Sequence, residues 1–153
     1  MRQCLAENMD CLRSTAQKNA DYIILIMGSA AGTAKEAVDE LREQGKKVGV
    51  LKLRVFRPFP AEEIAKALKG CKAVAILDRC ESYNGNNGPL GQEVMAGLFR
   101  EKVMIEAVNY IYGLAGRDFT ISDAKAVFEE IYESGRKWQG SSAASVHPFT
   151  LTV

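Results

Sequence analysis

The chain has 153 residues, 47% hydrophobic and 25% charged, with Lys plus Arg at 20 against Asp plus Glu at 19, a net charge of +1. This fits one soluble globular domain with a sizeable core, and near-neutrality speaks against a nucleic-acid binder, which would be strongly basic. No apolar run reaches the roughly 18 residues of a membrane span, and Met1-Arg2-Gln3-Cys4 opens no signal-peptide core, so a cytoplasmic protein is expected.

Taken in order, residues 2–17 place Leu5, Met9, Leu12 and Ala16 at helical spacing, which predicts an amphipathic lead-in helix within residues 1–20. Nothing there marks a helix start, and the segment can be read either as a natural beginning at Met1 or as the tail of a longer chain. The run DYIILIM (21–27) predicts a buried strand, followed by Gly28-Ser29 and a helix to about Gln44, with Ala34, Ala37, Val38 and Leu41 on one face. Gly45 is its stop. A second strand spans 47–54. Pro58 and Pro60 then break the chain, since neither can donate to a ladder. Glu62 and Glu63 open a short helix that ends at Gly70.

Residues 74–94, VAILDRCESYNGNNGPLGQEV, are the stretch around which the rest is organised. Val74 to Leu77 reads as a strand buried on both faces. It ends on Asp78 and Arg79. A loop follows with Gly85, Gly88 and Asn84, Asn86 and Asn87, residue types that tolerate positive φ. Pro89 suits a first helical turn. A fourth strand is expected at about 103–110, then a second glycine loop, Gly113-Leu114-Ala115-Gly116-Arg117-Asp118, and a helix capped by Ser122 and ended by Gly135. Residues 136–153 change character: Gly140 to Ser145 reads as a linker, and Phe149 to Val153 alternates like a strand that can pair with a sheet edge. The expected division is therefore a lead-in helix (1–20), an α/β domain (21–135) and a tail (136–153). Alternating strands and helices predict a mostly parallel sheet covered on both faces, a three-layer α/β/α sandwich.

No catalytic constellation is visible. Gly28-x-x-x-Gly32 has the wrong spacing for a dinucleotide fingerprint and lacks the Gly-Lys-Ser/Thr of a phosphate loop; its plainer reading is a tight strand-to-helix turn. Free N–H groups there and Ser29 can still hold an anion. Asp78, Arg79 and Glu81 stand at a strand end, where charged groups in a crevice are candidates for chemistry; the plainer reading is an ion-pair cluster that fixes the loop or meets a neighbouring chain. Arg117 and Asp118 carry the same two readings. The single histidine, His147, lies in the tail without a nucleophile motif. Cys4, Cys11, Cys71 and Cys80 form no CxxC pair, so reduced structural thiols are expected and neither a metal site nor an iron–sulfur cluster. These absences suggest a module of something larger.

Four blocks in combination carry a resemblance: the strand from Ala20; MGSAAGTAKEAVDELREQGKKVGVLKLRVFRPFP (27–60); AVAILDRCESYNGNNGPLGQEV (73–94); and VNYIYGLAGRD (108–118). Together they resemble the second domain of the α chain of pyruvate:ferredoxin oxidoreductase, over about residues 18–135. The resemblance implies the fold of a transketolase C-terminal domain, with the predicted strands side by side in the order 47–53, 21–27, 72–78, 103–110, and an antiparallel edge strand that residues 1–20 do not supply, so that it is either missing or supplied by the tail near 149–153. It implies that the whole enzyme oxidatively decarboxylates pyruvate, or a related 2-oxoacid, to an acyl-coenzyme A and reduces ferredoxin, with thiamine diphosphate, coenzyme A and iron–sulfur clusters held by other domains. This chain is then expected to bind no cofactor and to have no activity alone. It would act as a scaffold that contacts other domains and subunits, a second copy of itself being one option, and would meet ferredoxin only through the whole enzyme. Candidate interface or anion-site residues are Gly28, Ser29, Asp78, Arg79, Gly85, Gly88, Gly113, Gly116, Arg117 and Asp118. The alternative is a small-molecule module whose strand-end crevice binds an anion of the coenzyme A or nucleotide type.

Overall fold

The computed structural model describes residues 11–16, 19–83, 87–139 and 151–152. Its strands are β1 (Leu12–Thr15), β2 (Tyr22–Met27), β3 (Val48–Leu53), β4 (Ala73–Asp78), β5 (Glu106–Ile111) and β6 (Leu151–Thr152), and its helices are α1 (Ala30–Glu43), α2 (Ala61–Leu68), α3 (Pro89–Arg100) and α4 (Ile121–Gln139). They form one sheet in the order β1-β3-β2-β4-β5-β6. All neighbours are parallel except β1, which runs antiparallel to β3 with Leu12 opposite Leu53. The central order β3-β2-β4-β5 is the one the resemblance implies.

The central strands β2 and, up to Asp78, β4 are apolar because both faces are covered. Tyr22, Ile24 and Ile26 of β2 point to the layer of α1 and α4, where Ala34, Val38, Val127 and Ile131 meet them. Ile23 and Leu25 point the other way, to Ile64 and Leu68 of α2 and Val94 and Leu98 of α3. This alternation produces the three-layer sandwich.

Four local expectations are corrected. Residues 12–15 are a strand, not part of a helix; residues 1–10 lie outside the described residues. Pairing with the open edge of β3 outweighs a weak helical pattern, and two further contacts pin the segment: Cys11 O accepts Arg54 N at 2.9 Å, and Arg42 donates from one side chain to Ala16 O at 2.7 Å and Val48 O at 2.9 Å. The antiparallel edge strand missing from the sequence reading is therefore β1. Second, Val103 to Ile105 are not in β5. Lys102 adopts φ 56° and Val103 N bonds Leu98 O at 2.9 Å, so the chain is still leaving α3 there. Third, Thr120 rather than Ser122 caps α4. Its hydroxyl accepts Asp123 N at 3.2 Å, and Asp123 Oδ2 accepts Thr120 N at 2.8 Å, a reciprocal capping box. Fourth, α4 runs through Gly135 to Gln139; a helical glycine costs only about 1 kcal/mol relative to alanine. At the far edge, Leu151 and Thr152 pair with Tyr110 and Ile111 of β5. Gly140 to Ser145, His147 and Phe149 lie outside the described residues.

Candidate functional site

The connection from β2 crosses through α1 to β3 on one side, and that from β4 crosses through α3 to β5 on the other. The loops after Met27 and Asp78 therefore flank the point where winding reverses, the place where open α/β sheets put ligands or contacts. Gly28 and Ser29 stand on one flank, Asp78, Arg79 and Gly88 on the other, and Gly113, Gly116, Arg117 and Asp118 follow the next strand, β5. Gly85 lies outside the described residues.

Asp78 is 7% exposed. Its Oδ1 accepts the Leu90 N–H at 3.0 Å and its Oδ2 accepts the Gly91 N–H at 2.9 Å. These are free donors of the first turn of α3, which begins at Pro89. Asn109 completes the arrangement. Its Nδ2 donates to Asp78 Oδ2 at 2.9 Å and to Ile76 O at 2.9 Å, and its Oδ1 accepts Gly88 N at 2.6 Å. The anion at this helix N-terminus is thus the chain's own carboxylate. This corrects the ion-pair reading of Asp78, because its carboxylate is engaged by amides.

Packing explains the glycines. A Cβ on Gly88 would collide with the Asp78 carboxyl, and one on Gly91 would lie 2.7 Å from Asn109 Cγ. Both backbones must come this close for their N–H groups to reach their acceptors. Asn109 was passed over in the sequence because strand residues were read there for apolarity. The available signal was a single uncharged polar residue inside an otherwise apolar run beside the end of β4.

Arg79 turns outward. Its guanidinium carbon sits 5.8 Å from the centroid of Tyr112, within cation–π range. Tyr112 is tied back by its N–H to Asp78 O at 2.9 Å and packs on Phe119 at 5.0 Å between ring centroids. Burial raises the Tyr112 hydroxyl above its usual pKa; Arg79 opposes that shift and Asp78 adds to it. Gly113 is left-handed at φ 68°, and a Cβ there would stand 3.3 Å from Arg79 Nε. Leu114 to Gly116 make one 3-10 turn that leaves Arg117 and Asp118 exposed. Tyr83 and Leu114 are also exposed at this end of the sheet.

On the other flank, Gly28 has φ +81° and Ser29 makes no side-chain bond to the helix it starts; the first turn of α1 holds no acidic residue. Among the described residues there is no group of three or more His, Cys, Asp or Glu fit for a metal, and no helix long and apolar enough to cross a membrane.

Comparison with known proteins agrees with this fold. Residues 20–124 match the family model described as pyruvate:ferredoxin oxidoreductase core domain II. The chain is 46% identical over 121 residues to the ketoisovalerate oxidoreductase subunit VorA of Pyrococcus abyssi, covering 77% of this chain and 30% of that protein. It is 43% identical over 113 residues to the pyruvate synthase subunit PorA of Methanocaldococcus jannaschii, covering 74% and 28%. The chain thus spans about a third or less of the length of these relatives. Among solved structures it resembles a 2-oxoglutarate:ferredoxin oxidoreductase from Magnetococcus marinus with a TM-score of 0.60 at 21% identity, over 84% of this chain and 20% of the other. A split-gene transketolase gives the same score and identity over 77% and 40%. At that identity the two structures speak for the fold.

Proposed function

The chain belongs to the pyruvate:ferredoxin oxidoreductase core domain II family, and from that premise we propose that it is the scaffold domain of the α chain of a 2-oxoacid:ferredoxin oxidoreductase. The whole enzyme would decarboxylate a 2-oxoacid oxidatively to an acyl-coenzyme A, with thiamine diphosphate, coenzyme A and iron–sulfur clusters supplied elsewhere in the assembly. Pyruvate and branched-chain 2-oxoacids are both represented among the relatives' names, so the substrate class is the 2-oxoacid. The observation that carries the scaffold role is the Asp78–Asn109 network. It closes the α3 flank of the switch point with the domain's own groups, and it leaves Arg79, Tyr83, Leu114, Arg117 and Asp118 outward as contact residues. Gly28, Gly88, Gly113 and Gly116 set the backbone of these loops.

The test is charge reversal. Arg79→Glu with Arg117→Glu, introduced into the assembled oxidoreductase, is expected to weaken association about tenfold or more, a difference of 1.4 kcal/mol, while the isolated chain keeps its melting temperature. Equal losses in both measurements would reassign these arginines to the fold. Turnover of pyruvate or 2-oxoisovalerate by the isolated chain would overturn the scaffold role.

A second reading has one observation in its favour, the α1 flank with its open first turn at Ser29. There the site would take an anion such as a coenzyme A phosphate. A rise in melting temperature with coenzyme A that Ser29→Asp abolishes would support it.

A further inference from the structure

The opposite end of the sheet, where the strands begin, holds a cavity of about 650 Å³, a size that suits small-molecule sites. Its floor is Asp21 and Tyr22, held rigidly: Asp21 N and Tyr22 N both donate to Lys47 O, at 2.8 and 3.2 Å, and Lys72 N donates to Asp21 O at 2.7 Å. One wall is the α4 face of Phe128, Glu129 and Tyr132, and the other is the α1–β3 turn, Gln44 to Lys47. That turn is fixed by Gly45 at φ +81°, with Gly45 N on Arg42 O at 2.9 Å and Lys46 N on Leu41 O at 3.1 Å.

Two properties define what would fit. The first is aromatic: Tyr132 packs on buried Tyr22 with ring centroids 5.0 Å apart, yet Tyr132 is 47% exposed, so part of its ring remains open to a further flat group. The second is a balanced set of charges, three lysines and three acids, in which Lys47 and Glu133 form no ion pair among the described residues. Lys72 pairs with Asp21 at 3.0 Å and Lys46 with Glu129 at 3.9 Å. Asp21, Glu129 and Glu133 also line the space, so a ligand with several negative charges would be repelled and one with a single charge would meet Lys47 without breaking an existing pair.

We propose that this cavity binds a planar aromatic ring bearing one anionic group, the ring against Tyr132 and the anion at Lys47. The site is separate from the loops at the carboxyl ends of the strands and does not depend on the assembly role. A carboxylate and a phosphodiester share the required chemistry, and the probes distinguish them.

The experiment is calorimetric titration of the 153-residue chain with 2-naphthoate, with cyclic AMP, and with uncharged 2-naphthylmethanol. Saturable binding of at least one anion with Kd below about 1 mM is expected, the uncharged probe being about tenfold weaker. Lys47 is exposed, so Lys47→Ala keeps the fold and should weaken the anion about tenfold. Tyr132→Ala should do the same through lost stacking, and Tyr132→Leu, which retains bulk against Tyr22, guards against a folding defect. Naphthoate binding alone would identify a carboxylate site, and cyclic AMP binding alone a phosphodiester site. No saturation by either anion up to about 10 mM, or binding that is unchanged in both the Lys47 and Tyr132 variants, would overturn the proposal.

Discussion

Asn109 Nδ2, inside β5, donates at 2.9 Å to Asp78 Oδ2 at the buried end of β4, so β4 and β5 are joined by side chains as well as by their ladder. The same carboxylate holds the Leu90 and Gly91 N–H groups. Removing it strands three buried donors at once. Asp78→Ala is expected to lose about 3 kcal/mol of unfolding free energy, because unsatisfied buried groups cost about 1–3 kcal/mol each and water reaches some of them after relaxation. Urea denaturation checks this; a loss below about 1 kcal/mol would mean that the donors re-pair. Asp78→Asn should fall between alanine and the native residue, since one of its two side-chain atoms no longer accepts.

Two glycines separate close approach from mere flexibility. Gly88→Ala drives a methyl into the Asp78 carboxyl, which is held on the other side by Asn109. Gly32 in α1 has nothing within 4 Å of an added Cβ. Gly32→Ala is therefore expected to stabilise by about 0.5–1 kcal/mol through helix propensity and the unfolded chain. Gly88→Ala should destabilise by about 2 kcal/mol, the usual scale of an overpacked buried site. Equal melting temperatures for the two variants would contradict the close-packing account.

The start of α4 provides a direct contrast between two neighbouring hydroxyls. Thr120 exchanges bonds with Asp123, whereas Ser122 lies exposed inside the first turn. Thr120→Ala should cost about 1 kcal/mol, as loss of an N-cap does, and Ser122→Ala should be near neutral. A larger effect at Ser122 would move the cap back to the position that the sequence suggested.

The parallel core was legible because its signals are local and strong. Apolar runs such as Tyr22–Met27 and Ala73–Asp78, separated by helical patterns and glycine stops, located the middle strands, and the family resemblance supplied their order. What could not be read depended on partners distant in sequence. Leu12–Thr15 becomes a strand only because β3 offers an open edge, and nothing within those four residues says so. Asp78 was singled out at the strand end, but its bonding was misread, because its partners are backbone N–H groups 12 and 13 residues ahead and an asparagine 31 residues ahead. Arg79, Arg117 and Asp118 were placed at one end of the sheet as expected; whether they touch a partner is a question for the association measurement.

Cys71 gives a pH-dependent prediction at the other end of the sheet. Its thiol is half-buried, donates to Ala20 O at 3.5 Å, and is pushed from 9.0 up to about 11 by burial first and by the Asp21 carboxylate second. In the unfolded chain the thiol ionises near its ordinary value, so above about pH 9 the unfolded state sheds a proton that the native state still holds. The contribution to stability is therefore fully present below pH 9 and is lost as pH rises towards about 11. Partial exposure screens the effect. Cys71→Ser retains a donor to Ala20 O but has no group that ionises in this window. Denaturant titrations at a series of pH values should give a steeper loss of stability for the native chain than for Cys71→Ser across this interval, while Lys72, whose pKa is raised chiefly by its bond to Asp21, weakens both proteins alike at higher pH. Parallel pH profiles would show that the Cys71 thiol ionises no later in the folded chain than in the unfolded one.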